Sequence, residues 1–170
     1  MTFNELSKKR YSCKKYEEKK VPSSVLNSIL EAGRAAPTAK NLQEYHIYVI
    51  QSEEKLSLLD SVTPCRYNAP LVLLLTYDKN NVFTYPGGKR NSGIEDVSIV
   101  ATHLMLASCD LGVDSCYLNN FDPEKVHEVF NLPENEEVVM MLDLGYAAED
   151  AGPLKNHSLR KNLEETVTVL

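Results

Sequence analysis

The sequence predicts an α+β (α/β) sandwich in which one central sheet is flanked by helices, and three observations predict it. Short apolar runs alternate along the chain with longer segments of helical periodicity. Two of those runs, Leu71–Tyr77 and Val138–Leu144, are strongly apolar, as strands buried on both faces are. A third segment, Ile94–Leu111, is apolar on most sides of a helix, which places it inside the molecule or in a subunit contact. This pattern leaves the strand order open.

The elements follow in order. A first helix is expected over Phe3–Lys9, then a short extended basic segment. Val21-Pro22-Ser23-Ser24 opens a second helix, with Leu26, Ile29, Leu30 and Gly33 at helical spacing, and it stops before Pro37. His46–Ile50 reads as a strand and Glu53–Ser61 as an amphipathic helix. Leu71–Tyr77 lies between Pro70 and Asp78. Next comes a polar stretch, Asn80–Gly93, with Pro86, Gly87 and Gly88, read as a surface loop or a rim. Gly112 ends the apolar helix, Val113–Leu118 reads as a strand, and Asp122-Pro123 supplies an N-cap and an N1 proline for another helix. Gly145 is expected to break the strand Val138–Leu144, and a polar tail with Lys155, His157, Arg160 and Lys161 runs to Leu170.

With 170 residues, 43% hydrophobic and 25% charged, the chain is expected to form one globular domain over residues 1–170. A net charge of −6 argues against nucleic acid and anionic membrane as partners. No apolar run reaches membrane-spanning length and no signal-peptide core is seen, so a cytoplasmic location is expected. Cys13, Cys65, Cys109 and Cys116 form no C-x-x-C pair and no zinc-like spacing with histidine, so no metal is expected and the thiols read as reduced and structural. His46, His103 and His127 also read as structural, with His127 facing solvent.

Arg10-Tyr11-Ser12-Cys13-Lys14 carries more chemistry than any other stretch. In an extended strand Arg10, Ser12 and Lys14 project from one face. A guanidinium, a hydroxyl and an ammonium together suit a phosphorylated, electron-accepting ligand.

Read with that stretch, the order of the remaining pieces resembles the flavin-dependent nitroreductase family over nearly the whole chain. The opening signature of that family is matched by Arg10 to Lys14, with Tyr16 after it. Its second signature, Ala-Pro-Ser-x-x-Asn-x-Gln-Pro-Trp, is matched by Ala36-Pro37-Thr38-Ala39-Lys40-Asn41-Leu42-Gln43, after which Glu44 and Tyr45 replace Pro-Trp. Leu118-Asn119-Asn120-Phe121-Asp122 is similar to the stretch beside the flavin's reactive edge. Leu144-Gly145-Tyr146 and the basic pair Arg160-Lys161 also fit.

The resemblance implies a mixed, mostly antiparallel sheet and an FMN-binding homodimer with two sites at the subunit interface. Ile94–Leu111 would be the central interface helix, Pro37–Asn41 would reach the partner's flavin, and the C-terminal tail would wrap around the partner. It further implies that Arg10 and Arg160 hold the phosphate, with Ser12 and Lys161 in support. Lys14 would face the pyrimidine edge of the ring, where reduction places negative charge. Asn41 would bond along that edge, and the backbone of Asn119 and Asn120 would face N5. Tyr11, Thr38, Ala39, Gln43, Leu118 and Gly145 complete the implied cofactor contacts, with Arg66 as the substitute for a polar contact before the second core strand. Tyr45 and Tyr117 would wall the substrate pocket. No side chain acts as nucleophile or base. NADH or NADPH would give hydride to N5 and a nitroaromatic, quinone or other electron-poor acceptor would collect it, in ping-pong order. The alternative is a module that stores, delivers or senses FMN.

Overall fold

The computed structural model describes residues 1–170. Nine regular elements follow in the order α1 (Phe3–Lys9), α2 (Ser23–Arg34), β1 (Tyr45–Ile50), α3 (Glu53–Asp60), β2 (Leu71–Asp78), α4 (Gly93–Asp110), β3 (Asp114–Leu118), α5 (Pro123–Phe130) and β4 (Glu136–Gly145). Tight 3₁₀ turns lie at Ala39–Asn41 and Leu163–Glu165. The strands form one sheet in the order β1-β2-β4-β3, every named pair antiparallel. A parallel bridge between Ser12 and Ser115 adds the N-terminal segment at the β3 edge, which makes the sheet mixed.

Local chemistry accounts for where helices begin. Thr2 and Glu5 form a reciprocal capping box on α1, Ser52 accepts from Lys55 N–H at α3, and Asp122 accepts from Glu124 N–H with Pro123 at N1 of α5.

β2 and β4 are buried along almost their whole length, which is why they read as apolar runs. Alternation divides them between two cores. Leu71, Leu73, Leu75 and Tyr77 pack with Leu26 and Ile29 of α2 and with Val97, Val100 and Leu104 of α4. Val72 and Leu74 face the other side, with Cys13, Tyr16, Leu59 of α3, Leu118 and Val126 of α5. A bulge changes the register between Leu75↔Met140 and Thr76↔Val138. The extra residue turns Val138 to the second core while Met140, Leu142 and Leu144 stay in the first.

Three expectations change. Gly145 does not break β4: it is the buried last residue of the strand, where an added Cβ would lie 2.8 Å from both Pro70 and Tyr16 side-chain atoms. Residues 80–93 are no plain loop, because Thr84 bridges Asn91 and Tyr85 N–H donates to the Arg90 carbonyl across a turn at Gly87 and Gly88. His127 is half-buried, with Nε2 at 2.9 Å from the Pro133 carbonyl oxygen.

α4 is buried along one side and open on the other, where Ile94 and Ile99 are exposed, as is Leu111 just past its end. All four thiols are free. No helix is long and apolar enough to cross a membrane.

α2 and α4 approach so closely that a Cβ on Gly33 would lie 2.6 Å from Leu104 Cδ2. Gly33→Ala is therefore expected to cost about 1–3 kcal/mol despite better helix propensity, measured by urea denaturation. A stabilised variant would show that the two helices can separate freely.

Candidate functional site

The site begins with the docking of the N-terminal segment onto the sheet edge. Cys13 N–H donates to the Ser115 carbonyl at 2.9 Å, Glu17 N–H to Tyr146 at 2.9 Å, and Ala148 N–H to Lys15 at 3.1 Å. Alternation then buries Cys13 and leaves Lys14 outside. Lys14 overhangs a cleft of about 280 Å³ lined by Cys65, Tyr67, Cys116, Tyr117, Leu118, Asn119 and Asn120. Its Nζ lies 5.5 Å from the Tyr67 ring centroid, a cation–π arrangement.

Two loops are tied together at this cleft. Thr63 Oγ1 donates to the Asn120 carbonyl at 3.0 Å, and Asn120 Nδ2 donates to Cys65 Sγ at 3.3 Å. Asn120 and then Tyr67 hydrogen-bond the Cys65 sulfur and lower its pKa, with a smaller contribution from Lys14 against the opposing effect of burial. Bonding to Cys65 pushes Tyr67 the other way, to about 12. Lys14 is the one charged residue lining the cleft, so a ligand there meets a single positive charge among amides, aromatics and thiols.

Arg66 does not take the expected role. Its Nε donates to Asp60 Oδ1 at 2.7 Å and its Nη1 to the Ala69 carbonyl at 2.8 Å. Asp60, at the end of α3, holds the guanidinium away from the cleft. Cys65 and Tyr67 line it instead. Sequence reasoning missed both, and the nearest signal was the turn-forming Tyr67-Asn68, whose φ values are +52° and +62°.

Arg10 and Tyr11 line a second cleft of about 220 Å³ with Lys9, Cys109, Gly112, Val113, Asp114 and Ser115. The tail reaches it: His157 sits edge-on to Tyr11 with centroids 6.4 Å apart, and its Nε2 lies 3.3 Å from the Lys8 carbonyl. Arg160, however, donates to the carbonyls of His157 and Leu159 at 2.7 Å each, within its own tail, and Lys161 is exposed.

Pro37–Gln43 forms a tight turn on the N-terminal end of α4. Ala39 N–H donates to Asp96 Oδ1 at 2.9 Å, and Gln43 N–H to Thr38 Oγ1 at 3.1 Å. Lys40, Asn41 and Gln43 hold φ values of +53°, +57° and +54°. Gln43 and Tyr45 line a third cleft, about 350 Å³, with His46, Asp78, Asn135 and Glu136. One chain thus unites Lys14, Tyr117, Leu118, Asn119 and Asn120, and carries Arg10 and Tyr11, Gln43 and Tyr45, and the Arg160–Lys161 tail apart from them.

A wider groove, about 680 Å³, has Asp122, Glu124, Glu128, Glu134, Glu136 and Glu137 in its wall, a field that repels a phosphate. No group of three His, Cys, Asp or Glu side chains is placed to hold a metal ion.

Asp143 pairs in register with Cys116 behind the first cleft; it is fully buried, and neither carboxyl oxygen has a hydrogen-bond partner. Burial raises its pKa from 3.8 to about 9, with Arg66 acting in the opposite sense, so the group is neutral at neutral pH. Because the folded pKa lies above the unfolded one, its favourable neutral burial is fully present below about pH 4 and is lost as pH rises through about 9. Asp143→Asn should flatten that fall and be more stable than the wild type at about pH 8.5, by urea denaturation at several pH values. Parallel pH profiles would contradict a neutral buried Asp143.

A model described as the nitroreductase family matches residues 7–65 and 63–146. A solved nitroreductase family protein from Clostridium difficile 630 is 37% identical, with a TM-score of 0.92 over 99% of this chain and 98% of that one. A solved FMN-dependent nitroreductase from Clostridium difficile R20291 is 27% identical, with a TM-score of 0.73 over 92% of this chain and 97% of that one. A protein from Thermus thermophilus named NADH dehydrogenase is 28% identical over 85% of this chain and 86% of its own length.

Proposed function

Because this chain belongs to the nitroreductase family, we propose that it is an FMN-dependent NAD(P)H oxidoreductase acting on electron-poor small molecules such as nitroaromatics or quinones. The observation that carries this reading is the cleft where Lys14, Asn119 and Asn120 meet. Its donor set fits an isoalloxazine ring: one fixed ammonium, amides, and aromatic walls at Tyr67 and Tyr117. The FMN-dependent relative and the NADH dehydrogenase relative support the cofactor and the reductant.

When bound, FMN supplies a two-electron carrier between NAD(P)H and the acceptor. The residues of this chain hold and tune it. Lys14 would set positive charge beside the ring, and this would favour the reduced form. Asn119 and Asn120 would offer backbone N–H groups to the ring. Arg10 would clamp the phosphate, aided by Ser12 and by Lys161 and Arg160 of the tail, the latter on leaving the His157 and Leu159 carbonyls; charge-assisted bonds of this kind are roughly twice as strong as neutral ones. Tyr117 would wall the pocket that reductant and acceptor share.

The separation of the remaining residues supports a shared site in a homodimer. Thr38, Ala39, Asn41, Gln43 and Tyr45 lie on another flank of the chain and would complete the cleft of a second copy. The exposed Ile94, Ile99 and Leu111, with Leu159, Leu163 and Val167 in the tail, offer apolar surface for that contact. One FMN-binding domain then spans residues 1–170, and its four free thiols suit a reducing cytoplasm.

Anaerobic addition of NADH or NADPH to FMN-loaded protein should bleach the flavin promptly, followed by absorbance. Persistent colour would favour a storage or sensing module, and failure to retain FMN would remove the flavin reading. Arg10→Ala is expected to weaken FMN retention by about 10- to 100-fold through loss of a charged hydrogen bond, measured by fluorescence titration. Normal retention would sink the phosphate role. A stable monomer that keeps FMN, seen by analytical ultracentrifugation, would contradict the shared site.

A further inference from the structure

The function proposed above leaves a buried pair of acids unused. Glu44, immediately after the Pro37–Gln43 turn, is 7% exposed, and neither of its carboxyl oxygens meets a donor from another group. Its neighbour is the carboxyl of Asp96, 3% exposed in α4. Asp96 is fully engaged: Oδ1 accepts from Ala39 N–H at 2.9 Å and Oδ2 from the Ser92 hydroxyl at 2.6 Å. Two ionised carboxyls in contact and out of water repel strongly. A proton between them supplies the donor that Glu44 otherwise lacks.

We propose that Glu44 carries a proton and donates it in a hydrogen bond to Asp96, that this bond locks the Pro37–Gln43 turn onto the N-terminal end of α4, and that loss of the proton releases the turn. The geometry couples the pair to both ends of the turn. Asp96 anchors Ala39 near its start, and Glu44 follows Gln43 at its end. Between these anchors Lys40, Asn41 and Gln43 sit in the left-handed region, which L side chains adopt only when their surroundings hold them there. Repulsion between Glu44 and Asp96 pulls at the two anchors together.

The groups around the pair do not neutralise it. Asp78, at the end of β2, donates its backbone N–H to the Glu44 carbonyl and adds another carboxylate nearby. Glu136 of β4 is occupied by His46 and Tyr48 of β1 and by Thr76 of β2. Glu95 of α4 pairs with Arg90 and Tyr85, and Lys40 Nζ lies over the Phe83 ring at 4.7 Å. No salt bridge reaches Glu44 or Asp96. Burial first, then the contact with Asp96, lifts Glu44 from 4.5 to about 7. The raised value sets the sign: the lock is closed at lower pH and opens as pH rises through about 7.

This proposal rests on the flavin reading only where it says what the released turn does, namely bind FMN less well. The test therefore has two readouts on full-length protein from about pH 6 to 9: trypsin cleavage at the exposed Lys40–Asn41 bond, followed by mass spectrometry, and FMN affinity by fluorescence. Each is taken as the ratio of wild type to Glu44→Gln at the same pH, so the protease's own pH dependence cancels. The glutamine amide donates to Asp96 at every pH. The wild type is expected to be cleaved faster and to lose about tenfold in FMN affinity towards pH 9 relative to the variant, within the limit of tenfold per pH unit for one linked proton. Asp96→Asn repeats the test should Glu44→Gln fail to fold. Ratios that stay constant with pH would overturn the lock. A cleavage ratio that rises in a protein binding no FMN at any pH would support the lock and overturn the flavin assignment.

Discussion

The hydrogen bonds that lay residues 12–17 along β3 and the end of β4 are the constraint on which the rest of the structure depends. They seal the second core by burying Cys13 and Tyr16 against Val72, Leu74 and Met141. The same alternation that turns Cys13 inward leaves Lys14 outside, beside Tyr67 and the Asn119-Asn120 turn. Gly145 is part of this constraint, since any side chain there would strike Tyr16 and Pro70. Packing and site chemistry therefore share one set of bonds.

The electrostatics sort themselves by location. A chain of net charge −6 gathers many carboxylates in the groove between α5 and β4, while Lys14 and Arg10 stand at the other clefts. Behind Lys14, Asp143 is neutral and does not cancel its charge. A small anionic, electron-accepting ligand can thus bind one flank of an acidic protein.

Much of this was legible in the sequence, for identifiable reasons. The bounds of α1 and α5 follow from caps, and the burial of β2 and β4 follows from their apolar runs. Lys14, Asn119 and Asn120 were legible because an extended segment and a turn after a strand leave little freedom in where side chains go. Arg66 was misread because Asp60, six residues earlier, competes for its charge, a contact made only when the chain after α3 turns back on the end of that helix. Cys65 and Tyr67 were missed because positive φ at Tyr67 and Asn68 redirects the chain there. Glu44 looked like a simple departure from Pro-Trp; only the packing of the turn on α4 shows its carboxyl against Asp96.

The edge pairing sets Lys14 over the cleft proposed for the flavin ring, and its charge can be removed without touching those backbone bonds. The most direct measurement is the midpoint potential of bound FMN in wild type and Lys14→Met, by anaerobic spectroelectrochemistry. The potential should fall in the variant by on the order of 30 mV, the equivalent of about 1.4 kcal/mol for a two-electron couple. An unchanged potential with FMN still bound would contradict the placement of Lys14 beside the ring.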